Sequence, residues 1–179
     1  LMLEAFPKVD VPGATLLLAG PGDPGELPPR VEYVGRVSYD EVPAVLGRAS
    51  VIWVPLRRTP NNDLGRLTKV LEAMACGRPM VVSNLERTAA MVRAAGCGEV
   101  VPFDDPDAHA RAISGLLREP ERAAHMGTRG RRAFLDQMTF EGEDPAARKQ
   151  FNFFPDHFYT ELIIGLTLMI LLSALATLV

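Results

Sequence analysis

The sequence predicts an α/β fold, in which a parallel sheet has helices on both faces and one C-terminal transmembrane helix follows. Short apolar runs alternate with segments of helical periodicity, which is the order of β-α units. The predicted strands are apolar along their whole length, as is typical of strands buried on both faces. The last eighteen residues, 162–179, carry no charge. A helix of that length spans about 27 Å, close to the ~30 Å hydrocarbon core of a bilayer.

Length, charge and composition limit the classes of function that the chain can have. A chain of 179 residues favours one domain plus an appendage. The net charge of −3, with scattered Lys and Arg, argues against a nucleic-acid partner. The two cysteines and three histidines show no metal-ligand spacing, so we predict no metal site.

The first third of the chain contains three predicted strands, at 15–19, 31–34 and 51–54. The Gly- and Pro-rich loop at 20–25 lacks both the G-x-G-x-x-G fingerprint and a P-loop lysine, so it is interpreted as a turn. A helix is predicted at 39–48, with Pro43 tolerated in its first turn.

The next stretch, 55–83, predicts a loop, a helix, a tight turn and a buried strand. The loop ending at Gly65 is rich in Pro, Asn and Asp, which favour turns. In the helix the apolar residues share one face, and polar residues including Lys69 and Glu72 share the other. Gly77 occupies the position of a left-handed C-cap, and Pro79 prevents the helix from continuing.

The rest of the domain predicts helices at 86–95, 107–118 and 120–137 and a short strand at 100–101. Ligands of open parallel sheets bind beyond the carboxyl ends of the strands. The loops 35–37, 55–65 and 83–87 all follow predicted strands, so we expect a binding site along that edge.

Residues of the central helix suit a nucleotide diphosphate. A helix start at Gly65 and Arg66 offers unpaired N–H groups and the positive end of the helix dipole to an anion. Glu72 can accept the hydroxyls of a ribose, and Lys69 can neutralise phosphate charge. The alternative interpretation is an exposed Lys69–Glu72 pair at i, i+3, worth about 0.2–0.5 kcal/mol. Spacing alone leaves both open.

A motif in this stretch resembles a known signature. The pattern P-N-N…K-x-x-E-x-x-A-x-G-x-P is formed by Pro60, Asn61, Asn62, Lys69, Glu72, Ala75, Gly77 and Pro79. It resembles the donor-binding signature of GT-B glycosyltransferases of the group 1 type. The resemblance covers residues 1–140 and implies a Rossmann-like, partial C-terminal donor-binding half.

The resemblance also implies a hexosyltransferase-type function with a UDP- or GDP-sugar as substrate and no separate cofactor. The implied nucleotide-sugar-binding residues are Glu72, Lys69, Gly65, Arg66, Asn62 and Arg36, the last in a loop that approaches the base in the family. A second glutamate of the wider family corresponds to Leu64 here, and we assign no catalytic residue.

The resemblance begins inside the first helix of that half. It therefore omits the acceptor domain and the family's first strand, which is central in the sheet. We expect that the chain does not transfer sugar alone. The neighbours of the missing strand must either pair with each other or leave backbone groups unpaired.

The tail predicts a linker at 141–155 and a transmembrane helix at 156–179, which contacts the bilayer through 158–179. Several aromatic residues precede the apolar run, as in an interfacial belt. A buried core helix is the alternative, but it would show an apolar stripe rather than an apolar circumference. Arg148 and Lys149 favour a single-pass protein with its soluble domain on the cytoplasmic side.

A second resemblance lies in the tail. The sequence F-F-P-D-H at 153–157, followed by an apolar helix, is similar to the entry into the C-terminal membrane domain of bacterial cytochrome b. It implies an alternative function as a membrane subunit fragment of a quinol-oxidising electron-transfer complex, with other membrane subunits as partners. A fusion of two partial reading frames and a natural membrane-tethered transferase domain both remain open.

Overall fold

The computed structural model describes residues 1–59, Asn62 and residues 68–138. The predicted linker at 141–155 and the predicted transmembrane helix at 156–179 lie outside these residues. Within the described part of the chain, no helix combines the length and the apolar character needed to cross a bilayer.

The described elements alternate between strands and helices. The strands are β1 (Leu16–Leu18), β2 (Val31–Tyr33), β3 (Ile52–Val54), β4 (Met80–Ser83) and β5 (Gly98–Val101). The α-helices are α1 (Met2–Ala5), α2 (Val42–Arg48), α3 (Thr68–Ala75), α4 (Glu86–Ala95), α5 (Pro106–Arg118) and α6 (Pro120–Met138). Two 3-10 turns, Phe6–Lys8 and Tyr39–Glu41, follow α1 and precede α2.

All strand pairs in the described residues are parallel, as the sequence predicts. Strands β1 and β2 pair with Leu16 opposite Val31. Strand β4 lies between β3 and β5, with Val81 opposite Trp53 and Glu99. The order β3-β4-β5 follows the chain, as expected when each strand is joined to the next by a helix.

The prediction of one continuous sheet needs correction. Among the described residues, β1–β2 and β3–β4–β5 form two separate parallel sheets, and no ladder joins β1 to β3. Within the described residues β1 and β3 therefore each pair on one side only, which agrees with the second of the two expected outcomes.

Helices cover the three-stranded sheet on both faces. One apolar cluster joins the sheet to α3 and α4 and contains Val54, Val70, Leu71, Ala73, Met74, Met80, Val82, Met91, Val92 and Cys97. The opposite cluster joins both sheets to α5 and to the segment after α1, and contains Phe6, Val9, Leu16, Val81, Val101, Ala110, Ile113, Leu116, Ala123 and Met126. Only the second cluster includes residues of β1.

The predicted boundaries agree with the structure to within one or two residues in most elements. Helix α4 covers 86–95 as predicted, and Gly77 adopts a φ of 63°, as a left-handed C-cap requires. The predicted helix at 39–48 is divided into a 3-10 turn and α2. Strand β5 begins at Gly98 rather than Val100. Gly98 pairs with Met80, and only glycine fits there because a Cβ would lie 2.3 Å from the Met80 carbonyl oxygen.

Candidate functional site

The candidate site lies where the parallel strands end. In the three-stranded sheet, the segment after β3 (Pro55–Thr59) and the segment after β4 (Asn84–Leu85) leave from the same edge, because β3 and β4 run parallel. The guanidinium of Arg58 lies 5.8 Å from the ring centre of Phe103, which follows β5. This contact joins the segments after β3 and β5 across the edge.

Helix α3 carries the predicted ribose-binding carboxylate. Glu72 is half-buried, and its Oε1 atom is shielded from solvent without a hydrogen-bond partner in the described structure. Burial raises the pKa of Glu72, and the positive charge of Lys69 partly opposes the shift. A buried carboxylate oxygen without a donor is costly, so a hydroxyl supplied by a ligand would remove part of that cost.

Lys69 lies one turn before Glu72 at an exposed position. Neighbouring protein atoms nevertheless remove part of the hydration of its ammonium group, which lowers the pKa of Lys69, and Glu72 opposes this shift. The two side chains are thus close enough to interact electrostatically. Because Glu72 is half-buried, the pair differs from the fully exposed i, i+3 pair that was the alternative interpretation.

Asn62 helps to order the loop that precedes α3. Its side-chain amide donates to the Arg57 carbonyl oxygen at 2.7 Å, and its backbone N–H donates to Thr59 Oγ1 at 3.1 Å. Both bonds are local, as is typical of Asn in turns. The amide nitrogen of Asn62 is therefore engaged with its own loop in the described structure.

The other predicted site residues are Arg36, Gly65 and Arg66. Arg36 is exposed in the segment after β2, beside Gly35 with its φ of 75°. No hydrogen bond or ion pair joins Arg36 to Asn62, Lys69 or Glu72 in the described residues. Gly65 and Arg66 lie outside the described residues. Of the predicted site residues, the structure thus brings Lys69 and Glu72 together. The predicted anion-binding start of the helix lies outside the described residues.

Ser83 is a polar residue of this edge, and the sequence places it in the loop 83–87 without indicating a role for its side chain. It ends β4, it is fully buried, and its Oγ atom has no hydrogen-bond partner within the described part of the chain. Its signal in the sequence is a hydroxyl residue directly after three apolar strand residues, a position at the carboxyl end of the central strand of its sheet.

His109 is a polar residue that the sequence analysis missed, in the first half of α5. The Trp53 indole N–H donates to His109 Nδ1 at 2.9 Å, and the imidazole is completely buried. Burial lowers the pKa of His109, and the nearby Asp105 carboxylate partly opposes the shift. Because Nδ1 accepts a hydrogen bond, the neutral ring carries its proton on Nε2. This pair ties β3 to α5 and has a structural role.

Two arginines of α6 bind the C-terminal ends of neighbouring helices. Arg129 donates to the Gly96 carbonyl oxygen after α4, at 2.9 Å from Nε, and Arg131 donates to the Ala75 carbonyl oxygen at the end of α3. Positively charged groups at helix C-termini satisfy carbonyls that lack intrahelical partners. Arg131 thereby fixes the C-terminal end of the helix that carries Glu72.

Known proteins resemble this chain in sequence and in fold. Residues 1–119 match the family described as glycosyl transferases group 1. The chain is 33% identical over 150 residues to a GDP-mannose-dependent alpha-(1-6)-phosphatidylinositol monomannoside mannosyltransferase of Mycolicibacterium smegmatis, covering 76% of this chain and 39% of that protein.

A phosphatidyl-myo-inositol mannosyltransferase of Mycobacterium tuberculosis is 31% identical over 127 residues, covering 65% of this chain and 32% of that protein. Among solved structures, the sucrose-phosphate synthase of Thermosynechococcus elongatus matches with a TM-score of 0.65 and 26% identity, covering 91% of this chain and 42% of that one. The chain thus spans well under half the length of these relatives. These findings give no support to a cytochrome b-type function.

Proposed function

Because the chain belongs to the group 1 glycosyl transferases, we propose that residues 1–140 form the donor-binding part of a nucleotide-sugar-dependent glycosyltransferase. The segments at the carboxyl ends of β3 and β4 form the edge where the donor binds. Helix α3 supplies the polar groups that contact it. The complete reaction requires polypeptide beyond this chain, since the relatives are more than twice as long.

The observation that carries this proposal is the shielded Oε1 atom of Glu72, which has no partner within the described residues. A ribose offers two neighbouring hydroxyl donors, and both can bond to one carboxylate. Lys69 lies one turn nearer the start of α3, on the side from which a diphosphate would approach the helix. We assign Gly65 and Arg66 to binding of the diphosphate. Asn62 and Arg36 are assigned to binding of the nucleotide-sugar at the edge where the strands end.

We propose GDP-mannose as the donor. Two considerations support this choice: one relative is described as GDP-mannose-dependent, and both relatives named above are described as mannosyltransferases. The relatives' descriptions also name phosphatidylinositol derivatives, so a lipid acceptor is the matching proposal for the complete enzyme. The acceptor is expected to contact parts of that enzyme that this chain does not contain.

Titration calorimetry with GDP-mannose and UDP-glucose tests the donor proposal. We expect GDP-mannose to bind more tightly, and Glu72→Gln to weaken binding about 10-fold or more, because a hydrogen bond to a charged group contributes about 1.5–3 kcal/mol. Glu4→Gln is the matched control, since Glu4 is an exposed glutamate on α1. Equal binding by the Glu72 and Glu4 variants would contradict the role of Glu72.

We also propose that residues 156–179 attach the domain to a bilayer, with residues 141–155 as a linker and the donor-binding part on the cytoplasmic side. Proximity to a membrane suits an enzyme with a lipid acceptor. Extraction of membranes with alkaline carbonate is the test: the full chain should stay in the pellet, and a chain ending at residue 140 should be released. Release of both would contradict the anchor.

A further inference from the structure

The core beneath the candidate edge holds two polar side chains without protein partners. Ser83 and His109 are both completely buried. The Ser83 Oγ atom and the His109 Nε2 atom are shielded from solvent, and neither has a hydrogen-bond partner among the described residues. Buried polar atoms are almost always bonded to protein or to ordered water, so we expect both atoms to have a partner.

The register of the sheet places Ser83 on the face covered by α5. Ser83 lies opposite Val101 in the ladder, and Val81, two residues earlier in β4, lies opposite Trp53. Side chains alternate between faces along a strand, and directly paired residues share a face. Val81, Val101 and Trp53 all pack in the apolar cluster that includes residues of α5. The Ser83 hydroxyl therefore points to the same face as these three side chains.

The connection after β5 brings His109 to the same end of the sheet. Strand β5 ends at Val101 and α5 begins at Pro106, so only four residues separate them. Helix α5 contacts both β4 and β5. His109 lies one turn into α5, where its backbone N–H donates to the Asp105 carbonyl oxygen. The imidazole therefore lies beside the carboxyl ends of β4 and β5, where Ser83 is the last residue of β4.

The hydrogen bonding of the imidazole makes Nε2 a donor. His109 Nδ1 accepts from the Trp53 indole N–H at 2.9 Å, so the neutral ring carries its proton on Nε2. Burial lowers the pKa of His109 and favours this neutral form, while the Asp105 carboxylate and the Pro102 carbonyl oppose the shift. The Pro102 carbonyl oxygen therefore lies near the ring, although no described group meets the geometry of a hydrogen bond to Nε2.

We propose that one ordered water molecule binds between His109 and Ser83 in the interior of the domain. The water accepts a hydrogen bond from the His109 Nε2–H and donates one to Ser83 Oγ, and the Pro102 carbonyl oxygen is its third partner. Buried waters typically make about three hydrogen bonds to otherwise unpaired groups, which is the number that this site offers. The other side chains of the face are largely apolar, so the site suits a small neutral ligand.

Such a water would connect three elements of the fold. It extends the Trp53–His109 bond into a chain of hydrogen bonds that runs from β3 through α5 to the end of β4. The segments after β3, β4 and β5 leave the sheet at this end, so the chain of bonds would support the candidate edge from below. The proposal concerns the interior of the domain and does not depend on the donor-binding role.

Ser83→Ala distinguishes a bound water from two unpaired atoms. If Oγ has no partner, the substitution removes an unpaired buried hydroxyl and should leave stability unchanged or raise it. If the water is bound, the substitution removes one of its partners. We then expect the equilibrium constant for unfolding of the full chain in mild detergent to rise about 10-fold, as when a buried group loses a hydrogen bond.

His109→Leu provides the second variant, in a double-mutant cycle. This change also leaves the Trp53 indole N–H unpaired, but that loss is common to both members of the pair with and without Ser83→Ala. In the His109→Leu background we expect Ser83→Ala to change the unfolding constant by less than about 2-fold, because the water has already lost its donor.

Ser114→Ala is the matched control for the cycle. Ser114 is a buried serine on α5, and its Oγ atom accepts from the Asp10 backbone N–H at 3.2 Å. Because this hydroxyl has a protein partner of its own, its replacement should have the same effect in the parent and in the His109→Leu background. Equal effects of Ser83→Ala in the two backgrounds would contradict the water.

A crystal structure of the parent chain, at a resolution that shows ordered solvent, tests the proposal without any variant. We expect one solvent peak within about 2.7–3.2 Å of both Ser83 Oγ and His109 Nε2. Three results would overturn the proposal: a direct bond between these two atoms, a bond from either atom to a residue outside the described range, or no ordered solvent between them. No nucleotide takes part, so failed donor binding would leave these outcomes unchanged.

Discussion

The two sheets of this chain differ in how completely their strands are covered. In the three-stranded sheet, β4 is buried along its whole length between α3 and α4 on one face and α5 on the other. In the two-stranded sheet, Leu16 is the only buried residue of the two described strands. Similar apolar sequences, Leu-Leu-Leu in β1 and Met-Val-Val in β4, therefore reach different degrees of burial.

The difference shows that the burial of an apolar strand depends on its neighbours. Residue type determines how much area can be buried, but paired edges and a helix on each face determine how much is buried. The candidate site belongs to the better-covered region, because Glu72 and Ser83 lie on α3 and β4. The following predictions test the contrast, starting with the largest expected effect.

Gly127→Ala should produce the largest loss of stability. A Cβ at Gly127 would lie 2.1 Å from the Gly77 carbonyl oxygen, so the backbone must move where α6 meets the turn after α3. We expect a loss of about 3 kcal/mol, the upper end of typical overpacking costs. The measurement is urea unfolding of both variant and parent.

Gly115→Ala is the matched control for that substitution. A Cβ at Gly115 on α5 meets no atom within 4 Å, so alanine should stabilise the helix by up to about 1 kcal/mol. Equal losses at the two positions would show that helix α6 does not depend on this close approach.

Val82→Ala and Val31→Ala compare the two sheets directly. Val82 of β4 is fully buried, whereas Val31 of β2 is half-exposed. We expect the free energy of unfolding to fall by about 2 kcal/mol for Val82→Ala and by under about 1 kcal/mol for Val31→Ala, because the Val31 side chain has less buried apolar area to lose. Denaturant unfolding measures both. A larger loss at Val31 would contradict the contrast between the sheets.

Acid should weaken the contact between β3 and α5, with a smaller effect on stability than the substitutions above. Since burial lowers the pKa of His109 in the folded chain, its neutral form is favoured there, and its contribution is present above the unfolded pKa of about 6.5. That contribution is lost as the pH falls below about 6.5. The fluorescence of Trp53, the single tryptophan of the chain, reports unfolding in urea at each pH.

His109→Gln should reduce this dependence on pH between 7.5 and 5.5. His125→Gln is its control, because His125 is exposed on α6. An unchanged pH dependence in the His109 variant would assign the effect to other groups.

Much of the fold could be predicted from the sequence because its signals are local. Apolar runs indicate all five strands of the described residues, and Gly77 and Gly96 end two helices with the positive φ that their positions require. The separation into two sheets was foreseen only as one of two outcomes, because strand pairing depends on which neighbours are present and not on the strands' own residues.

The candidate site was predictable only in part. The helix periodicity placed Lys69 and Glu72 on one face, but the half-burial of Glu72 depends on atoms distant in sequence. The Trp53–His109 bond joins residues 56 positions apart, and no local pattern indicates such a pair. The histidines had been considered only as metal ligands, so the structural role of His109 was missed. The roles of Gly65 and Arg66 stay predictions, since both residues lie outside the described chain.

The close approach of α6 to Gly77 has a consequence for how the site can respond to a ligand. Arg131 and Gly127 fix the C-terminal end of α3, so any adjustment of this helix is a rotation about that fixed end. At 1.5 Å per residue, Glu72 lies about 4.5 Å along the axis from Ala75 and Lys69 about 9 Å. A small tilt would therefore displace Lys69 roughly twice as far as Glu72, so the proposed phosphate contact would adapt about twice as much as the proposed ribose contact.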